Sequence, residues 1–218
     1  MDSRSWIANK LETPEFQFFT YIDSDYIKDR FNLTGIETGE WRLLDLVEFI
    51  LSPDSYSSAE DEMQMGNGDK EGAAKRFYGL VHARYITTTR GQQKMLQKFV
   101  NADFGRCPRA LCRAQPVLPL GLHDLPDHSY VKLYCPKCED IYHPPAQHNA
   151  SLDGAYFGTS FPGMLFQSYP KHLPRRTSEQ FCLKMFGFKI HNQASLVRWQ
   201  QRRREEMEKE LRQAGVGV

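Results

Sequence analysis

Four cysteines constrain this chain more than anything else in it. They fall as Cys107-x4-Cys112, then 22 residues, then Cys135-x2-Cys138. Two close pairs separated by a β-rich stretch are the layout of a zinc ribbon. Each pair fits a tight turn, and Pro136 in Cys135-Pro136-Lys137-Cys138 favours one. Four thiolates fill a tetrahedral Zn²⁺ and leave no open position, so the expected site is structural rather than catalytic. Metal binding then supplies folding free energy on the order of 10 kcal/mol to a segment with few core residues of its own. Iron in a rubredoxin-type site uses the same four ligands, so the spacing favours zinc without excluding iron. A thioredoxin-like redox pair explains one Cys-x-x-Cys but not the second pair. Cys182, the fifth cysteine, is expected to be a small buried hydrophobe. With four thiols at hand, His123, His128, His143, His148, His172 and His191 are expected as surface or packed residues rather than ligands.

An odd cysteine count argues against a closed disulfide framework. The 218 residues suit one or two domains and are enough to bury a core without staples. Uninterrupted apolar runs never exceed three residues, so no membrane span is expected. Met1-Asp2-Ser3-Arg4-Ser5-Trp6 lacks the apolar region of a secretory signal. The formal net charge of +1 predicts no bulk attraction to nucleic acid or acidic membranes. That balance hides an asymmetry: residues 1–106 hold 17 acidic and 13 basic side chains, whereas residues 107–218 hold 10 and 15.

The first hundred residues read as mostly helical. Asp23 is placed to cap a helix carrying Tyr26, Ile27, Arg30 and Phe31 on one face, with Gly35 as its stop. Apolar residues from Trp41 to Leu51 follow a helical period ended by Ser52-Pro53. A third helix is expected from near Gly72, with Ala73, Phe77, Leu80, Val81 and Arg84 on successive turns. A fourth follows Thr89 and presents Met95, Leu96 and Phe99. Between the second and third lies an aperiodic loop, 54–70, carrying Asp54 and the run Glu60-Asp61-Glu62. After Gly105 the pattern shortens, and Tyr130 to Tyr134 alternates as a strand does. From Leu196 to Arg212 it turns helical again, with Arg204–Glu208 and Glu205–Lys209 at i,i+4 spacing.

Asp103-Phe104-Gly105 spells the magnesium-binding tripeptide of protein kinases. A kinase domain also needs a strand lysine, a His-Arg-Asp loop and roughly 250 residues, and the chain offers none of these. No Gly-x-Ser-x-Gly, P-loop or His-Glu-x-x-His motif is present.

Longer segments carry a resemblance. They are Asp25-Tyr26-Ile27 with Phe31-Asn32-Leu33-Thr34-Gly35, and Tyr78-Gly79-Leu80-Val81-His82-Ala83-Arg84-Tyr85-Ile86. Then come Asp103-Phe104-Gly105 with Cys107-Pro108-Arg109, Gln115-Pro116-Val117-Leu118-Pro119 and Val131 to Cys138. Asp153 to Thr159 and Gly187-Phe188-Lys189-Ile190-His191 complete the set. Over roughly residues 5 to 192 the chain resembles the casein kinase II regulatory (beta) subunits.

The resemblance implies an α+β chain in three parts. A helical subdomain, 1–104, with acidic loop 54–70, precedes a rubredoxin-like zinc-ribbon subdomain, 105–160. A C-terminal segment, 161–218, contacts the catalytic subunit and ends in a charged helix. It further implies a regulatory subunit without kinase activity, found in cytoplasm and nucleus. Such a subunit would form a homodimer through the ribbon, bind and stabilise two catalytic (alpha) subunits, and modulate the choice of protein substrates. The implied dimer residues are Pro108, Ala110, Leu122, Ile141 and Tyr142. The implied catalytic-subunit contacts are Met164 and the loop Phe186-Gly187-Phe188, where the first position, usually tyrosine, is phenylalanine. Cofactor expectation is one structural Zn²⁺ per chain on Cys107, Cys112, Cys135 and Cys138.

Two departures stand out. The N-terminus lacks the acidic context of the family's self-phosphorylated serines. Ser57 and Ser58, each three residues before an acid, are the substitute phosphorylation sites expected here. The acidic loop is also thinner, which weakens the expectation that polyamines or basic proteins bind there. No membrane or nucleic-acid partner is expected. The competing reading, a nucleic-acid-binding zinc ribbon using Tyr130 and Tyr134, lacks a dense basic stripe.

Overall fold

The computed structural model describes residues 5–52, 70–176, 184–189 and 195–213. They divide into two compact units, Met1–Ser178 and Glu179–Val218.

The first unit is built around one helix. Helices α1 (Trp6–Lys10), α2 (Ser24–Lys28), α3 (Leu43–Leu51), α4 (Lys70–Tyr85) and α5 (Thr89–Asn101) come first in the chain. In α4 the buried positions are Ala74, Phe77, Tyr78, Val81, His82 and Tyr85. This is a 3.6-residue stripe wide enough to meet neighbours on several sides. The face differs from the expected one: Arg84 is exposed and Leu80 only half-buried, because Tyr78 and His82 are inside. Both polar groups are satisfied. The Tyr78 hydroxyl donates to the Thr20 carbonyl at 2.8 Å and accepts from the Ile22 N–H at 3.2 Å. His82 Nε2 accepts from the Thr20 N–H at 3.1 Å, and Nδ1 lies 2.9 Å from the Tyr156 carbonyl, to which it donates. Burial pushes its imidazole pKa down to about 4. α4 therefore stitches segment 20–22 to the turn at 154–156. Gly79 makes that approach possible, since a Cβ there would meet the Tyr156 ring at 2.5 Å.

The helix expected from Asp23 through Phe31 breaks in two. α2 stops at Lys28, and a 3-10 turn, Arg30–Leu33, follows. Asp29 adopts an extended backbone and its carboxylate accepts from the Phe31 N–H, starting the new turn. Asp23 has the capping position, but its side chain is diverted to Lys94 Nζ at 2.6 Å and the Tyr85 hydroxyl at 2.9 Å. The Lys94 hydrogen bond holds its pKa low. α5 starts as expected, with Thr88 accepting from Gly91 N–H. It ends at left-handed Ala102. Asp103-Phe104-Gly105 is the exit from α5: Phe104 is buried edge-on against Phe18, and Gly105 turns at φ 98 toward the first cysteine.

Three short antiparallel strands follow, β1 (Leu118–Leu120), β2 (Lys132–Cys135) and β3 (Asp140–Tyr142), in the order β1-β2-β3. Leu118 pairs with Tyr134 and Cys135 with Asp140. The expected strand at Tyr130 begins two residues later, and Tyr130 keeps an isolated bridge to Asp153. Helices α6 (Gln147–Ala150) and α7 (Phe161–Ser168) complete the unit. One buried cluster includes Trp6, Phe77, Phe157 and Leu165 together with all four ribbon cysteines.

The second unit contributes a minimal hairpin, β4 (Lys184–Met185) and β5 (Phe188–Lys189), and helix α8 (Ser195–Gln213). Among the described residues, no helix is long and apolar enough to cross a membrane.

Candidate metal centre

The first cysteine pair lies on the turn that links Gly105 to β1. An antiparallel bridge between Arg106 and Pro116 closes its base, with Cys107 N–H bonded to the Gln115 carbonyl at 2.8 Å. Inside the turn, Cys112 N–H reaches the Arg109 carbonyl, and Arg113 and Ala114 take left-handed backbone to bring the chain back. The second pair brackets the β2–β3 turn. Glu139, also left-handed, donates to the Cys135 carbonyl at 2.8 Å. Lys137 Nζ ties the two turns together through the Cys112 carbonyl at 3.0 Å.

These turns converge four buried sulfurs, all within 4.8 Å of one another. Cys107 and Cys138 Sγ are 3.8 Å apart, and Cys112 and Cys135 Sγ are 3.6 Å apart. A tetrahedron with Zn–S bonds of about 2.3 Å has edges of about 3.8 Å. The two closest sulfur pairs already match that edge, and all four thiols lie near enough to share a single tetrahedral ion. Burial raises the Cys112 thiol to about 11 and also pushes Cys135 up. Such thiols ionise only against a compensating charge, which a divalent cation supplies. Backbone N–H groups of Gln115, Cys138 and Lys137 point at the Cys112 and Cys135 sulfurs and favour their anions. At Cys138 burial acts upward, but hydrogen bonds from Cys112 and Arg109 outweigh it and the thiol pKa falls.

Two side chains outside the cysteine set touch it. The Arg109 guanidinium lies 3.8 Å from Asp140, and its charge favours the Cys138 thiolate. Burial, and then the neighbouring Cys107, push the Tyr142 hydroxyl pKa up. In the sequence Arg109 stands only as part of the Cys107-Pro108-Arg109 segment with no role of its own, although its place two residues after Cys107 puts it inside the first cysteine turn.

The residues assigned by resemblance to a dimer surface lie on and beside these turns. Pro108 and Ala110 are exposed on the first, Ile141 is 42% exposed on β3, and Leu122 is 46% exposed just after β1. Tyr142 is half-buried against Cys107. Met164 is half-buried on α7. Phe186 and Phe188 are 94% and 78% exposed. Phe186 and Gly187 form the two-residue turn between β4 and β5, both at positive φ, 49 and 85. Phe188 is the first residue of β5, opposite Met185. Asp54, Ser57, Ser58, Glu60, Asp61, Glu62, Cys182 and His191 lie outside the described residues. His123 and His128 stack on each other, and His143 lies 3.1 Å from Lys132 Nζ.

Comparison with known proteins adds an independent line. A model of the casein kinase II regulatory subunit matches residues 5–189. Casein kinase II subunit beta-2 of Neurospora crassa is 48% identical over 203 residues, covering 92% of this chain and 69% of that protein. Casein kinase II subunit beta of Schizosaccharomyces pombe is 45% identical, covering 98% and 90%. Casein kinase II subunit beta' of Saccharomyces cerevisiae is 42% identical, covering 98% and 83%. The match runs from α1 through the four-thiol centre to the Phe186–Phe188 hairpin, and with that span and identity the chain belongs to the casein kinase II regulatory subunit family.

Proposed function

We propose that this chain is a non-catalytic regulatory subunit of casein kinase II. It dimerises through its ribbon, binds and stabilises two catalytic subunits, and changes which protein substrates they phosphorylate. The observation that carries this reading is the apolar rim on the cysteine turns. Pro108, Ala110, Leu122 and Ile141 are exposed beside a small sheet, where a second copy would cover them. Zn²⁺ on Cys107, Cys112, Cys135 and Cys138 would lock both turns and so fix that rim; the closed ligand set supplies structure, not chemistry. The hairpin presents Phe186 and Phe188 as two aromatic anchors for a pocket on the catalytic subunit, since exposed rings at a turn tip bury large apolar area on docking. Cytoplasm and nucleus are the proposed locations.

The test is reconstitution with the catalytic subunit. The purified chain alone should transfer no phosphate to casein. Added to the catalytic subunit, it should raise the temperature at which that subunit inactivates and change the ratio of rates on two substrate peptides. Phosphotransfer that stays with the chain through every purification step, or a catalytic subunit indifferent to its addition, would overturn the reading.

A further inference from the structure

We propose that α8 pairs in antiparallel fashion with the α8 of a second copy of this chain. Three features of the helix lead there.

The first is a stripe largely open to water, with only Leu211 at its end half-buried. Trp199, Arg203, Met207 and Leu211 recur at four-residue intervals and share one side of the helix. Trp199 and Met207 are 56% and 55% exposed, large for residues of their size on a helix otherwise covered in charge. Arg203 interrupts the stripe but brings an aliphatic stem that can lie along apolar neighbours. Its guanidinium is already held by Glu206 of the same helix at 2.8 Å.

The second is a charge gradient along the axis. Arg198, Arg202, Arg203 and Arg204 make the first half basic, whereas the second half holds Glu205, Glu206, Glu208 and Glu210 against Lys209 and Arg212 and stays net acidic. Two parallel copies would set arginine beside arginine and glutamate beside glutamate. Two antiparallel copies set each basic half against an acidic half. The opposed helix dipoles add to the same preference.

The third is that one register satisfies both. The stripe positions are symmetric about Glu205. A two-fold axis at that level puts Trp199 against the partner's Leu211 and Arg203 beside the partner's Met207. On the flanks it brings Arg202 to the partner's Glu206 and Arg204 to the partner's Glu208. The pairing also explains how a helix of this composition, whose described side chains are largely in water, would gain the packing that stabilises it. It would be a second contact between copies, distinct from the ribbon.

Disulfide trapping of the full-length protein tests this, in a Cys182→Ser background with zinc present. Trp199→Cys and Leu211→Cys are introduced singly and together. Within one helix the two positions are about 18 Å apart and cannot bridge. Under mild oxidation the double variant should form a covalent dimer as its main product, and each single variant only traces. Adding Arg202→Glu, Arg203→Glu and Arg204→Glu should cut the cross-linked fraction by about fivefold or more, as like charges then face one another. A double variant that stays uncrosslinked while circular dichroism shows its helix intact would overturn the proposal. So would single variants that cross-link as well as the double, the mark of parallel pairing. The mass before oxidation reports the ribbon dimer separately, so loss of one contact is not mistaken for loss of the other.

Discussion

Arg109 separates holding a metal from forming its cage. It is not one of the four thiols, yet its charge helps hold the Cys138 thiol low. Replacing it with methionine keeps the length and removes the charge, so zinc should pass to a competing chelator about tenfold more readily. Tyr142→Phe removes only a neutral hydroxyl beside Cys107 and should cost less. Unchanged zinc retention in Arg109→Met would show the contact to be idle. His82 makes a second prediction. Its folded pKa of about 4 lies below the unfolded value of 6.5, so the unfolded chain binds the extra proton between those limits. The stabilisation is complete above pH 6.5, falls as pH drops toward 4, and amounts to about 3 kcal/mol in all. NMR of the ring should show a midpoint near 4, with urea unfolding weakening over the same window. A midpoint near 6.5 would contradict the fully buried, doubly bonded ring. No sequence rule distinguished His82 from the six other histidines, because its neutrality follows from contacts 62 and 74 residues away.

Among elements, periodic segments were legible and broken ones were not. α3, α4 and α5 follow from apolar spacing, and the cysteine turns from their own spacing. α2 was overread because Tyr26, Ile27, Arg30 and Phe31 share a helical period, while Asp29 offers its carboxylate to the Phe31 N–H instead. Which face of α4 is inside was misjudged for a related reason. Tyr78 and His82 look polar, but backbone groups at Thr20, Ile22 and Tyr156 satisfy them in the core. The resemblance marks Phe186-Gly187-Phe188 as a loop without showing its backbone. In the structure Phe186 and Gly187 both take left-handed backbone, the two-residue turn that matches strand twist, and it leaves the Phe186 and Phe188 rings in solvent. Changing both Phe186 and Phe188 to Ala should therefore weaken capture of the catalytic subunit by at least about tenfold while the chain keeps its own mass. Calorimetry showing equal affinity would remove the hairpin from the interface.

At the scale of the whole molecule, charge and metal act in different places. The cysteine turns pack into the same buried cluster as α4, so loss of the metal should be felt through the first unit. The charge asymmetry read along the chain has its densest expression in α8, whose first half is basic and whose second half is net acidic. A total of +1 conceals both. The central claim is that one closed metal site organises the surface through which the chain assembles. Native mass spectrometry of the full chain mixed with the catalytic subunit tests it most directly, before and after zinc is stripped and in Cys107→Ser and Cys138→Ser variants. The account predicts two regulatory chains, two catalytic chains and two zinc ions, falling to single regulatory chains once the metal or either cysteine is lost, because one pair of helices is too small a contact to hold the copies together alone. A regulatory chain that still pairs and still captures the catalytic subunit without metal would contradict it.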